Sequence, residues 1–391
     1  MNGDEQPMPN KKKEPSSASK LVKGLEGVVA AQTSLSDVDG ENGRLLYRGF
    51  PIGELVEKSH FEEVTYLLWY GKLPTTEELT TFNATLKAQR PLSDLALKVL
   101  RLIPTSTHPM SALRTMCSLM GSLDPRAHIV NPEESQRKAY HLTGVFPTII
   151  AAFYRLREGL EPIQPDMSLS HSANFLYMLN GKKPTPEMEK ALDAYLILLA
   201  DHGLNASTFA ARVTTGTLSN LYSAVTSAVG TLAGELHGAA NQYAMEMILE
   251  IGKPENAVAY VNKLLDEKKK VMGFGHRIYK TRDPRAEAFR QIAADLCVKA
   301  GKTEWLAIAA HVEKVMMDRK KIPCNVDFFS APVLYVLGFP PDFFTTVFAA
   351  SRVAGWSGHI IEQQLDNRLI RPLAEYIGPQ DQYYIPSAER K

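Results

Sequence analysis

The sequence predicts an all-α fold with a minor β-hairpin near the N-terminus. Beyond residue 51, apolar residues recur at helical spacing between proline and glycine stops. Strand and helix patterns do not alternate, which excludes a doubly wound sheet. Strand character is confined to one early stretch.

The first twenty residues are rich in Pro, Ser, Lys and Asn, lack an apolar run and read as a disordered tail. They have neither the hydrophobic region of a secretion signal nor the arginines of an organellar transit peptide. Gly27–Thr33 and Arg44–Arg48 flank the turn-rich Asp37–Gly43 and read as a small hairpin or two short strands. Phe61, Val64, Thr65, Leu67 and Leu68 then fit an amphipathic helix that Gly71-Lys72-Leu73-Pro74 stops. Thr75-Thr76-Glu77-Glu78 opens the next, with carboxylates in its first turn. Further helices are expected at roughly 92–103, 110–122, 133–158, 168–179, 186–200, 206–232, 239–251, 255–266, 284–300, 304–320, 328–337, 341–350 and 353–365. Small residues along Ser219–Gly234 suit close packing, either at a boundary or inside a core.

At 391 residues the chain calls for two domains or one large elaborated one. Forty-four basic against 43 acidic residues leave a net charge of +1, so no global field recruits nucleic acid or membrane. Any anionic ligand must be held by a local cluster. Cys117, Cys297 and Cys324 are too scattered for a zinc site or a disulfide framework, and no stretch has the length of a membrane span. A cytoplasmic protein is expected.

The chemistry concentrates in a few segments. In Val271-Met272-Gly273-Phe274-Gly275-His276, glycines let the backbone approach a ligand, and an imidazole follows at once. Lys280 and Arg285 lie within nine residues and can hold phosphate or carboxylate. Elsewhere stand Asp201-His202-Gly203, Leu236-His237-Gly238, Asn325-Val326-Asp327 and Ser351-Arg352, with Asn367-Arg368-Leu369-Ile370-Arg371-Pro372 near the end. Singly, each has a bland alternative: a capping residue, a core histidine or a solvated arginine. The other seven histidines lack such settings, apart from His108 in Ser106-Thr107-His108-Pro109.

Together and in order, these segments resemble the citrate synthase family, from about Gly24 through Gly378. The resemblance rests on Leu236-His237-Gly238-x-Ala240-Asn241, Gly273-x-Gly275-His276-Arg277-x-Tyr279-Lys280-x-x-Asp283-Pro284-Arg285, and Asn325-Val326-Asp327. It implies a homodimer of large helical domains (21–238 and 341–391) and small ones (239–340), with the active site in the cleft between them. The implied reaction condenses oxaloacetate with acetyl-CoA and needs no cofactor or metal, the CoA thioester being a substrate. Asp327 would be the base, His237 the enol stabiliser and His276 the ketone polariser. Arg285, Arg352 and His202 would bind oxaloacetate, joined by Arg371 from the other subunit. Lys270, Val271, Met272, Gly273, Gly275, Lys280 and Asn325 would contact CoA.

The chemistry fits those roles. A thioester methyl is a weak carbon acid, so the forming oxyanion must be stabilised at once. The apolar neighbours of Asp327 should raise its basicity. Gly203, Ala239 and Gln242 depart from common family residues and leave fine substrate preference open. Two alternatives remain: a 2-methylcitrate synthase using propionyl-CoA, and a helical metal-dependent phosphohydrolase ligated by His202, His237, His276 and an aspartate.

Overall fold

The computed structural model describes residues 21–276 and 278–390; the expected disordered tail lies outside them. Residues 21–32 and the chain from Thr33 onward form two compact units. The first contains a short 3-10 turn at Lys23–Leu25 and is largely exposed.

The second unit opens on a three-stranded antiparallel sheet: β1 (Ser36–Asp39), β2 (Arg44–Tyr47) and β3 (Phe50–Pro51). Ser36 pairs with Tyr47 and Asp39 with Arg44. This corrects the sequence reading. Gly27–Thr33 forms no strand, because Val28 and Val29 are exposed and the apolar run buries nothing. The hairpin instead uses residues read as turn. The Asp39 carboxylate accepts the N–H groups of Glu41 (3.1 Å) and Asn42 (3.0 Å) and closes the bend, while Leu45 and Tyr47 alternate into the core.

Sixteen α-helices follow among the described residues: α1 (Ile52–Lys58), α2 (Phe61–Tyr70), α3 (Thr76–Ala88), α4 (Asp94–Leu102), α5 (Pro109–Leu123), α6 (Pro132–Arg157), α7 (His171–Asn180), α8 (Pro186–Leu199), α9 (Ala206–Gly216), α10 (Leu221–Leu232), α11 (Ala240–Ile251), α12 (Ala257–Asp266), α13 (Pro284–Lys299), α14 (Thr303–Lys320), α15 (Val326–Val336) and α16 (Phe344–Leu365). Their ends follow local chemistry. α3 begins with a reciprocal capping box between Thr75 and Glu78, and Gly71 and Gly181 end α2 and α7 with left-handed backbone.

Two boundaries differ from expectation. The segment 206–232 is two helices, because Leu218 adopts φ +64° and Asn220 caps a fresh start by accepting from Ser223 N (3.0 Å). Residues 344–365 form one unbroken helix, whose Ser351 and Arg352 side chains bond to α8 rather than interrupting α16. Helix α16 is almost wholly buried, with α6 and α8 packed against it. No single helix among the described residues is long and apolar enough to cross a membrane.

Candidate active site

The site begins where α8 ends. The last carbonyls of a helix have no partner within it, and α16 supplies donors to this one. Ser351 Oγ donates to Leu196 O (2.5 Å), Arg352 Nε to Leu199 O (2.6 Å) and Gly355 N to Ala200 O (3.1 Å). A Cβ on Gly355 would stand 2.2 Å from Ala200 O, so only glycine permits this approach. The chain then turns through Asp201–Asn205. Tyr47 Oη accepts from Asp201 N (3.1 Å), and Gly203, at φ +57°, donates its N–H to Asp201 Oδ2 (3.1 Å). Burial would raise the Asp201 pKa, but the neighbouring His359 and Arg352 outweigh it and hold the carboxyl below its usual range. His202 is thereby fixed and buried. Burial, then Arg285 and Arg352, push its pKa well below the ordinary value, so it is neutral.

His237 lies against the start of α9. Its Nε2 accepts the backbone N–H of Ser207 (3.3 Å) and faces Ser207 Oγ at 2.8 Å. The hydrogen of the neutral ring therefore sits on Nδ1. Burial, with Arg352 adding to it, lowers its pKa to about 4. Ser207 Oγ is itself held by Trp356 Nε1 (3.1 Å).

The Gly-x-Gly segment pairs with the approach to α15. Gly275 N donates to Pro323 O (3.0 Å), Asn325 N to Gly273 O (2.9 Å) and Asn325 Nδ2 to Gly275 O (2.9 Å). Gly273 (φ +81°) and Gly275 (φ +79°) are left-handed, and a Cβ on Gly273 would meet Phe328 Cβ at 2.7 Å. This short ladder sets His276 beside Asp327. His276 Nδ1 accepts the N–H groups of Ile278 and Tyr279, each at 3.1 Å, which leaves the hydrogen on Nε2. Burial and Arg285 bring its pKa down to about 4. Nε2 is 3.4 Å from Arg285 Nη2. Both atoms are donors, so an acceptor set against the pair would take a hydrogen bond from each.

Arg285 and Arg352 differ in their company. Asp283 caps α13 ahead of Pro284 and takes Arg285 in two bonds, Nε–Oδ1 3.0 Å and Nη2–Oδ2 2.9 Å. Its Oδ2 also accepts from Val326 N (3.2 Å), tying α13 to α15. Burial pulls the Arg285 pKa down, but Asp283 prevails and holds it above its usual value. Arg352 is 1% exposed and forms no ion pair with the described residues. Its guanidinium lies 4.7 Å from the centre of the Phe348 ring, and burial lowers its pKa to about 10. Asp327, second residue of α15, uses its N–H on Asn325 Oδ1 (3.1 Å), while its carboxylate takes no hydrogen bond from the described residues. Burial lifts its pKa to about 6 against the pull of Arg285.

His202, His237, His276, Arg285, Asn325, Asp327 and Arg352 line one pocket of about 430 Å³, with Gly275 in its wall. Lys270, Val271, Met272, Gly273 and Lys280 are outside that wall. Lys280 lines a neighbouring pocket of about 260 Å³ that shares Gly275 and His276, and its ammonium pairs with Glu41 of the hairpin. Arg371 is exposed on the C-terminal stretch, away from the pocket of its own chain. Among the described residues, no three His, Cys, Asp or Glu side chains are grouped to hold a metal ion. Sequence reading gave no role to Asp283, Ser207, Tyr279 or Phe348. Asp-Pro was legible as a helix start, and Phe348 lies one turn before Arg352 on the same face; Ser207 and Tyr279 carried no signal beyond their place in a motif.

A helical scaffold that keeps three imidazoles uncharged between two arginines, with a poorly solvated carboxylate opposite, defines a class of enzyme. Such a set of groups suits binding of a small polyanion and removal of a proton from carbon next to a carbonyl. Comparison with known proteins narrows the class. A family model described as citrate synthase, C-terminal domain, matches residues 24–373. The citrate synthase of Deinococcus radiodurans is 45% identical over 376 residues, 95% of this chain and 100% of that one. The 2-methylcitrate synthase 1 of Corynebacterium glutamicum is 41% identical, covering 96% of this chain and 100% of its own. The solved citrate synthase of Thermoplasma acidophilum, in a ternary complex with carboxymethyl coenzyme A and oxaloacetate, superposes with TM-score 0.90 at 34% identity, over 95% of this chain and 100% of that one. The chain belongs to the citrate synthase family and is an acyltransferase. That membership displaces the metal-dependent phosphohydrolase alternative.

Proposed function

We propose that the chain condenses oxaloacetate with acetyl-CoA and water to give citrate and CoA. The observation that carries this reading is Arg352, a buried guanidinium with no carboxylate paired to it among the described residues, facing the pocket that holds Asp327. A buried unpaired charge is costly, and a dicarboxylate substrate removes the cost.

Oxaloacetate is held by Arg285, Arg352 and His202, and Arg371 of the partner subunit completes its cradle in a homodimer. Asp327 takes a proton from the acetyl methyl group. His237 donates from Nδ1 to the thioester oxygen as the enol forms; one such donor is worth about 3–4 kcal/mol. The enol carbon attacks the oxaloacetate ketone, while His276 donates from Nε2 and gives its proton to the new alkoxide. Water then cleaves the thioester. CoA lies along Lys270, Val271, Met272, Gly273 and Gly275, with Lys280 and Asn325 in reach. Residues 239–340 act as the small domain, and closing them on the rest excludes water before the enol forms. The reaction needs no resident cofactor or metal.

Purified protein is expected to release free thiol from acetyl-CoA only when oxaloacetate is present. Release without oxaloacetate, or none, would sink the assignment. One extra methyl in an apolar pocket discriminates by only about 1–3 kcal/mol, so propionyl-CoA is run alongside. A higher kcat/KM for propionyl-CoA makes 2-methylcitrate the product. The shared site is tested by mixing inactive Arg371→Ala and Asp327→Asn chains. Random assortment should restore about a quarter of wild-type activity, since half the dimers regain one complete site. No recovery would place each site within a single chain.

A further inference from the structure

We propose that Tyr279 is a positioning residue for the oxaloacetate half of the site, acting through its hydroxyl on His202. This rests on the reading above. Tyr279 is 4% exposed, and its Oη lies 3.2 Å from His202 Nε2. Its backbone N–H donates to His276 Nδ1 at 3.1 Å. Its ring centre is 4.7 Å from that of His276 and 5.5 Å from that of His202, and the Arg285 guanidinium stands 6.0 Å from it. One side chain therefore touches three groups assigned to the same substrate.

The ring and the hydroxyl have separable tasks. The ring fills the space beneath His276 and Arg285, which a phenylalanine would fill equally well. The hydroxyl is a polar group taken into a buried position, where an unpartnered one would be unfavourable. His202 is its hydrogen-bond partner. A neutral imidazole has two tautomers and can turn its ring over, so an unrestrained His202 would meet a carboxylate with a lone pair part of the time. The Tyr279 hydroxyl engages one ring nitrogen, donating or accepting as the tautomer requires, and so holds the ring against turning over. It acts before substrate arrives, and so favours binding over the chemical step.

Tyr279→Phe tests this because it removes only the hydroxyl. The KM for oxaloacetate should rise about tenfold, with the KM for acetyl-CoA unchanged and kcat within about threefold of wild type. Oxaloacetate affinity by calorimetry should fall by the same factor. A double-mutant cycle with His202→Gln reads whether the effect passes through His202. The double variant should bind oxaloacetate no more weakly than His202→Gln alone, because the hydroxyl then has nothing to hold. Equal KM values for Tyr279→Phe and wild type would overturn the proposal. So would additive losses in the cycle, a parallel rise in the acetyl-CoA KM, or a Tyr279→Phe chain that does not fold. Failure of the wild-type enzyme to use oxaloacetate would instead strike the proposed reaction.

Discussion

Asp327→Asn should lower kcat by on the order of 10²–10⁴-fold while making the folded chain more stable at neutral pH. The first effect is loss of the base. The second follows from the carboxyl's surroundings, since burial lifts its pKa from 3.8 to about 6. As pH rises from 4, the unfolded chain ionises first and binds fewer protons than the folded one. Stability present below pH 4 is therefore lost through pH 6 and stays lost above it. Asparagine carries no such cost, and the gain at pH 7 is at most about 3 kcal/mol, less where the open pocket admits water. The melting temperature of the variant should exceed that of wild type at pH 7, with the difference gone by pH 4. In the wild-type enzyme the same titration should make kcat/KM fall about tenfold per pH unit below pH 6. Full turnover in Asp327→Asn would remove this residue from the chemistry.

Arg352→Met should weaken oxaloacetate binding by about 30- to 1,000-fold, the equivalent of about 2–4 kcal/mol for a buried charge-assisted contact. The unliganded protein should melt close to wild type. The variant loses the charged Arg352 donor to Leu199 O, worth about 1.5–3 kcal/mol, but is relieved of a buried cation with no ion-pair partner among the described residues. Thermal shift separates the two effects. Oxaloacetate at a hundred times the wild-type Kd should stabilise wild type by about 2.7 kcal/mol and the variant by less than about 1 kcal/mol. Normal oxaloacetate affinity in Arg352→Met would refute the role given to this arginine.

Most of the helices were legible because their apolar spacing is set by one-sided burial, and their ends by local signals such as Thr75-x-x-Glu78 and the stop at Gly71. The first strand was misplaced because Val28 and Val29 have strand propensity but nothing to pack on, whereas Ser36–Asp39 gains its conformation from pairing with Arg44–Tyr47. The split at Leu218 is local, a positive φ at a non-glycine residue followed by the Asn220 cap, and the continuity of α16 through Ser351 goes with tertiary bonds to α8. The residue types lining the pocket were legible as spaced motifs. Their states were not. That His237 and His276 carry their hydrogens on different nitrogens follows from the backbone N–H of Ser207 in one case and of Ile278 and Tyr279 in the other. No side-chain pattern encodes those bonds.

The hairpin between β1 and β2 has a mechanical consequence. A Cβ on Gly40 would stand 2.2 Å from Ile278 O, and Lys280 N donates to Gly40 O at 3.0 Å. The loop around His276 is thus fastened upstream to Pro323–Asn325 and downstream to the hairpin tip, like a string stopped at both ends. Each fastening holds the backbone on one side of His276, so the approach to α15 and the hairpin tip both bear on its aim. Rearrangement of the loop on its own would have to break one of the two fastenings. The hairpin tip, far from the reacting atoms in sequence, is where an insertion would put the loop out of tune.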